Sequence, residues 1–385
     1  MKPVAGNRVT LLRNGGEFFP ALVAAIEVAS ADVRFETYIF RDDAAGEAVA
    51  QALKRAAARG AKVRLLLDGF GSRDLPRPFV EGLRAGGVIV QHFRPERGWF
   101  TFRRNRLRRM HRKIALIDGR VGFVGGINVL DDFSEHGHAA PRYDYAVRLE
   151  GPVLAEIYPV VQRLWWIVST LSGQERPSAF ASPAVKTEPA GPTSVAFVHR
   201  DNFRHRHDIE ALYLEGIQGA RREILIACAY FMPGWRMRHA LMEAAGRGVR
   251  VAIVVQGWSD HRIFQQASRV LYGALLDHGI EIYEYERSEL HAKAAVVDAR
   301  WATVGSSNLD PFSLFLAREA NVVVHGEAFA QQLRESIDLE ISHGARPVPR
   351  LLWKRRSWRA RIAGWIAYGY ARLAMGIAGV GRSWH

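Results

Sequence analysis

The pattern His-x-Lys-x-x-x-x-Asp occurs twice in this chain, at His111, Lys113 and Asp118 and again 180 residues later at His291, Lys293 and Asp298. The correspondence runs well past the motif. An Asn stands seventeen positions after each His, at Asn128 and Asn308, and an acid is followed seven residues later by Gly in both copies, Asp144 to Gly151 and Glu319 to Gly326. Upstream, Val33–Phe40 and Lys62–Gly69 parallel Glu223–Phe231 and Arg250–Gly257. A period this long signals a duplicated domain rather than a solenoid of small repeats. The chain must therefore build one half-fold twice and carry each chemical group in two copies.

Within each copy, apolar runs alternate with helix-like stretches. Strands are predicted at Val33–Phe40, Val63–Leu67, Val88–His92, Ile114–Ile117, Gly122–Val124 and Tyr145–Leu149, and helices near Phe18–Ala29 and Ala44–Ala58. Unbroken apolar runs such as Ile114–Ile117 suit strands covered on both faces, which implies an α/β fold of two tandem α/β/α sandwich domains. With 385 residues, 48% of them hydrophobic, the chain can fill two such cores. The expected division is a first domain over 1–171, a linker over 172–192 rich in Pro, a second domain over 193–345, and a basic, apolar tail over 346–385 set off by Pro347 and Pro349.

Two imidazoles and two ammonium groups supply what attack on a phosphodiester needs without a metal: a nucleophile, an acid for the leaving group, and countercharge. Lys113 and Lys293 are expected against the non-bridging oxygens, with Asn128, Asn308 and Ser306 donating hydrogen bonds there. Asp144 and Glu319 are the candidates to orient the imidazoles. Asp118 and Asp298 belong to the motif, yet each follows an apolar strand and precedes a turn, so a structural role stands beside a chemical one. The first copy has Gly125-Gly126 where the second has Gly305-Ser306, so the hydroxyl is present on one side only. Lysine at this spacing argues against a metal site, since an ammonium repels a cation, and no cofactor is implied. His199, His205 and His207 are interspersed with arginines and read as a solvated helix entry; His136 and His138 lie in a loop downstream of the first motif. Cys228, in an apolar run, reads as a buried inert thiol, and the first ten residues lack the apolar core of a signal peptide.

Net charge is +14 with a pI near 10.2, so an anionic partner is expected, nucleic acid or anionic lipid. Between Arg97 and Lys113 lie eight Arg or Lys residues and no acid, interleaved with Trp99, Phe100 and Phe102. That composition suits lipid headgroups, with a solvated loop as the alternative. In the tail, a basic cluster over 353–361 leads into an apolar stretch interrupted by Arg372. A bilayer-spanning helix needs about 20 uninterrupted apolar residues. An interfacial or re-entrant helix with Trp365 and Tyr368 near headgroups is the expectation, against a terminal helix packed on the protein's own core.

The doubled motif, with the stretches Trp301–Pro311, Arg109–Ile114 and Asp144–Gly151, resembles the phospholipase D superfamily and, within it, the bacterial cardiolipin synthases. The resemblance implies that the two halves pack about a pseudo-twofold axis so that both motifs face one phosphate. It further implies that His111 is the nucleophile and His291 the acid. The expected reaction is transfer of a phosphatidyl group between two phosphatidylglycerol molecules to give cardiolipin through a covalent phosphohistidine, on an anionic phospholipid membrane. The expected location is peripheral, at the cytoplasmic face of the cell membrane. Hydrolysis of phospholipid or nucleic acid by the same site is the alternative. The apolar tail beside a basic cluster favours lipid, and no nucleic-acid partner is expected.

Overall fold

The computed structural model describes residues 2–95, 108–133, 140–173, 185–257, 262–354 and 358–377. The aromatic part of the basic stretch (Trp99, Phe100, Phe102), His136 and His138, most of the expected linker and the last eight residues lie outside the described residues.

The first half runs β1 (Val4–Arg13), α1 (Asn14–Glu27), β2 (Asp32–Thr37), α2 (Ala44–Ala58), β3 (Lys62–Asp68), α3 (Arg77–Ala85), β4 (Ile89–Phe93), β5 (Lys113–Ile117), β6 (Val121–Gly125), β7 (Tyr145–Glu150) and α4 (Leu154–Ser172). The second runs β8 (Thr193–Arg200), α5 (Asp208–Gly219), β9 (Glu223–Cys228), α6 (Trp235–Gly246), β10 (Arg250–Gln256), α7 (Arg262–Val270), α8 (Tyr272–Asp277), β11 (Glu281–Tyr285), β12 (Lys293–Val297), β13 (Trp301–Gly305), α9 (Pro311–Phe315), β14 (Glu319–His325) and α10 (Glu327–Gly344). It is followed by β15 (Ala345–Pro347), α11 (Arg350–Lys354) and α12 (Trp358–Ile377).

Strand order is β1-β7-β6-β5-β2-β3-β4 in the first half and β8-β14-β13-β12-β9-β10-β11 in the second, the same sequence of partners twice. In each half the first three βα-type strands run parallel and the motif strands run antiparallel to them. The halves are not separate sheets. β1 pairs antiparallel with β8 across an irregularity between Val4 and Asn7, giving one sheet of fifteen strands. Strands β2, β5 and β12 are buried along their whole length, as expected for strands covered on both faces. α1, α2 and α3 cover the outer face of the first half, and α5, α6 and α8 that of the second. The inner faces share one core, in which Ile157 and Val161 of α4 and Leu333 and Ile337 of α10 join residues from both halves.

The two motif aspartates lie at turns whose backbone geometry suits Asp. Asp118 and Asp298 sit in the β5–β6 and β12–β13 hairpin turns with φ of 50° and 52°, followed by Gly119 at 66° and Ala299 at 53°. Two consecutive positive φ values are the signature of a tight hairpin turn that Asp tolerates better than most residues. The Asp118 carboxylate accepts from the backbone N–H of Ser30, Ala31 and Asp32, and that of Asp298 from Arg221, Arg222 and Glu223.

The tail folds back on the second half. Gly364 lies against Val270 of α7, where an added Cβ would come within 3.0 Å, and Tyr368 is buried in a cluster with Met232, Ala267, Leu271 and Leu316. Its other face is exposed: Trp358, Ile362, Trp365, Ile366 and Tyr370 are each about half or more accessible. Their spacing places them on one stripe of the helix. No described helix is long and apolar enough to cross a membrane.

Candidate active site

The motif residues gather where β5 and β12 begin. Lys113 and Lys293 open those strands, and the register Lys113 to Gly125 to Ala146 carries the end of β6 and the start of β7 to the same sheet edge. The halves are stitched together at that edge by backbone bonds. His111 N–H donates to Arg318 O at 2.9 Å, and His291 N–H donates to Tyr143 O at 2.8 Å. Arg318 and Tyr143 immediately precede Glu319 and Asp144, so each His is laid beside the acid of the opposite half.

The side chains complete this exchange. His111 Nδ1 lies 3.0 and 3.1 Å from the two carboxylate oxygens of Glu319, and His291 Nδ1 lies 2.6 Å from Asp144 Oδ2. The acids are fully buried, while the imidazoles keep 17% and 14% of their side-chain surface accessible. With Nδ1–H donated to a carboxylate, the Nε2 lone pair is the one left facing outward. Neither half owns a complete His–acid pair.

The Ser306 hydroxyl is engaged by the acid of its own half. It is buried and donates to Glu319 Oε2 at 2.5 Å while accepting from Ala320 N–H at 3.0 Å. A hydroxyl has one proton, and here it goes to the carboxylate that holds His111. The asymmetry with Gly126 has a steric cause: a Cβ on Gly126 would sit 2.2 Å from Asp144 Oδ1. The shorter acid therefore goes with Gly and the longer one with Ser.

Asn128 Oδ1 accepts from Ile39 N–H at 3.1 Å, and Asn308 Oδ1 lies 3.5 Å from Tyr230 N. Anchoring the carbonyl end leaves each amide –NH2 as the donor end. Lys113 Nζ donates to His111 O at 2.5 Å, and Lys293 Nζ donates to His291 O. Asp118 and Asp298 do not join this group; their carboxylates are taken up by the backbone amides already described.

Burial dominates the electrostatics. It pulls the Lys113 ammonium down to about 7, with the Lys293 charge adding to the effect, and lowers Lys293 as well. His111 is lowered by burial against the opposing pull of Glu319. His291 is pushed far down, first by burial and then by Lys293, while burial raises Asp144 to about 7. Burial thus raises the acid and lowers the base, so the Asp144–His291 pair titrates as one coupled unit. Both ammonium groups are weakened in this way, and an anion beside them would raise them again. The two imidazoles and two lysines lie close enough to act on one another's charge, and with the two amide donors such a set can bind an oxyanion and exchange protons with its ester oxygens.

A cavity of about 490 Å³ adjoins His111, lined by Tyr38, Tyr230, Met232, Asn308, Asp310 and Phe312 among others. Tyr38 meets the His111 ring edge-on at 4.9 Å and lies 5.4 Å from Lys113 Nζ. Sequence reasoning missed it, although it falls in the strand stretch compared with Glu223–Phe231, where the second half has Ala229. Among the described residues no group of three or more His, Cys, Asp or Glu could hold a metal ion. His205 instead pairs with Asp208 at 2.7 Å. The Cys228 thiol is buried and pushed up to about 12.

The duplicated half-fold and the doubled His–Lys motif with its crossed His–acid pairs define a protein of phospholipase D type. The sequence profile described as "Cardiolipin synthase, PLD-like domain" matches residues 22–152 and 213–339, and the chain belongs to that family. It is 42% identical over 371 residues to cardiolipin synthase B of Salmonella typhi, covering 95% of this chain and 88% of the relative. It is 34% identical over 348 residues to cardiolipin synthase A of Pseudomonas putida, covering 88% and 69%. Among solved structures, the phosphatidylserine synthase of Haemophilus influenzae superposes with a TM-score of 0.73 at 12% identity, covering 99% of this chain and 97% of the other, a likeness of fold.

Proposed function

We propose that the chain transfers a phosphatidyl group from one phosphatidylglycerol to a hydroxyl of a second, forming cardiolipin and releasing glycerol. The observation that carries this reading is the crossed pairing of His111 with Glu319 and His291 with Asp144, which makes one phosphodiester site from two halves. The family relationship to cardiolipin synthases supplies the substrate class.

Nε2 of neutral His111 attacks phosphorus, and the bond to the headgroup glycerol oxygen breaks as His291 gives that oxygen a proton. The product is a phosphatidyl-histidine and free glycerol. In the second step neutral His291 takes the proton of the incoming hydroxyl, whose oxygen bonds to phosphorus as the bond to His111 breaks. Lys113, Lys293 and the amides of Asn128 and Asn308 hold the non-bridging oxygens while charge builds there. Asp144 and Glu319 fix the tautomers, and Ser306 acts through Glu319. The roles of Asp118 and Asp298 are confined to the turns.

The α12 stripe of Trp358, Ile362, Trp365, Ile366 and Tyr370 is a suitable surface for lying in a headgroup layer. With a net charge of +14, the chain favours an anionic one. A peripheral position at the cytoplasmic face of the membrane accords with that reading.

Purified protein with phosphatidylglycerol vesicles is expected to yield cardiolipin and glycerol by mass spectrometry, and His111→Ala or His291→Ala to abolish both. Release of phosphatidic acid without cardiolipin, or cleavage of DNA or RNA with no lipid product, would overturn the reading.

A further inference from the structure

Cardiolipin formation brings two phosphates together, and the His–Lys site takes only one. The second belongs to the acceptor, one glycerol length from the attacking hydroxyl. On the His291 side, the arginines around the crossed backbone bond are neutralised: Arg142 pairs with Glu289 at 2.7 Å and Arg13 with Glu17 at 2.6 Å. On the His111 side the corresponding positions break that pattern. Arg318 stands where Tyr143 stands, Arg200 lies opposite Glu319 where Asn14 lies opposite Asp144, and Arg109, 3.8 Å from Asp68, stands where Glu289 stands.

Arg318 is bonded through its backbone to both neighbours of the site, donating N–H to Arg109 O at 2.7 Å and accepting from His111 N–H at 2.9 Å. Its guanidinium lies over the Phe93 ring at 5.9 Å, and that of Arg94 over the same ring at 5.3 Å. Among the described residues, the Nε–H groups of Arg318 and Arg200 are both buried without a hydrogen-bond partner, whereas the Nη groups of Arg200 already donate to Asn202 Oδ1, Ala317 O and Phe315 O. The nearby acids are committed elsewhere. Glu36 is held by Arg112, and Asp201 accepts from the backbone N–H of Phe203 and His205. Buried guanidinium donors left unsatisfied are rare, because the lost hydration is not replaced. Burial together with the neighbouring arginines pulls Arg318 down to about 10, and Arg200 likewise to about 10. An anion would reverse that cost.

We propose that Arg318, flanked by Arg94 and Arg200, binds the phosphate of the acceptor lipid and so selects an anionic phospholipid over a neutral alcohol for the second step. The proposal rests on the transferase reading above. It locates the choice between lipid hydroxyl and small alcohol in a charge cluster beside the reacting atoms rather than in the motif itself.

A partition experiment isolates that step. Full-length protein is incubated with phosphatidylglycerol in phosphatidylcholine vesicles containing a fixed concentration of ethanol. Cardiolipin and phosphatidylethanol are then quantified from the same tube. Both products arise from one phosphatidyl-histidine, so their ratio reports acceptor choice alone and is insensitive to vesicle binding or donor turnover. Arg318→Met keeps an unbranched chain over Phe93 and removes the charge. It is expected to lower the cardiolipin-to-phosphatidylethanol ratio by about tenfold or more, the usual consequence of losing charged hydrogen bonds to a ligand. Arg318→Lys should retain most of the ratio. A ratio within about twofold of the parent, or a parallel fall in both products, overturns the proposal while leaving the transferase reading intact. If the parent protein makes neither product, the transferase reading fails and takes this inference with it.

Discussion

Replacing Glu319 with Gln tests whether an acid from one half governs the nucleophile of the other. In the parent, Ser306 donates to Oε2 and Glu319 accepts from His111 Nδ1–H, so Nε2 presents its lone pair. In Glu319→Gln the amide has one carbonyl oxygen for two donors. If Ser306 keeps that oxygen, the –NH2 faces Nδ1 and forces the proton onto Nε2, the tautomer that cannot attack. Loss of the ionic hydrogen bond alone is about 1.5–3 kcal/mol, which at about 1.36 kcal/mol per decade is roughly 10- to 150-fold in rate. Tautomer inversion takes the loss toward about 10⁴-fold, the size seen when a triad carboxylate becomes an amide. The assay is initial-rate cardiolipin formation from phosphatidylglycerol vesicles, with thermal unfolding as the check on folding. Ser306→Ala removes a bond of about 1 kcal/mol to the same carboxylate and should cost about fivefold in kcat with KM nearly unchanged. A KM rise with kcat preserved would mean that Ser306 touches the phosphate. A Glu319→Gln enzyme with rates near the parent would refute the pairing logic.

Gly126→Ala places a Cβ against the Asp144 carboxylate, which is also held by Tyr145 N–H at 2.8 Å; a loss of about 100-fold in turnover is expected. Gly82→Ala, whose Cβ would meet nothing within 4 Å, is its control. Equal rates for the two variants would remove the steric explanation for Gly126. Asp118→Ala strips the acceptor from three backbone N–H groups and should lower stability by about 1–3 kcal/mol in denaturant titrations. Turnover per folded molecule should be kept, and loss of turnover without loss of stability would restore Asp118 to the chemistry. Inorganic phosphate should bind with proton uptake at pH 8. Lys113, lowered to about 7 by burial, is mostly neutral at pH 8, and an anion raises it, so affinity falls as pH climbs above about 7. Calorimetry in two buffers of different ionisation enthalpy measures the uptake; zero protons taken up would contradict the assigned state of Lys113.

Much of the fold was legible because its strands are covered on both faces and so read as unbroken apolar runs, Ile114–Ile117 and its partners among them. The duplication supplied the second half at no further inference. The junction was not legible. Whether two equal half-folds form separate sheets or one depends on β1 meeting β8, and the Val4–Arg13 segment carries no mark of its partner. The same limit applies to the site. The residues that carry its charge were visible from their spacing, but which acid serves which imidazole depends on how the halves meet. Ser306 looked like a phosphate donor because a hydroxyl beside a catalytic His is chemically suited to that task. Its proton is instead set by Glu319, one methylene longer than Asp144. Asp118 and Asp298 recur with the motif and left both a structural and a chemical role open; the structure places each carboxylate on backbone amides at a hairpin turn. Tyr38 and Arg318 had no repeated counterpart to point to them; a break in the duplication was the only available signal.

The central claim is that one phosphorus is served by two imidazoles from opposite halves. A crystal structure with tungstate, a phosphate mimic, tests it directly. The expected result is a single oxyanion contacting Nε2 of both His111 and His291, with Lys113 and Lys293 on its remaining oxygens. Two separate ions, one per motif, or an ion held by one half alone would contradict the account.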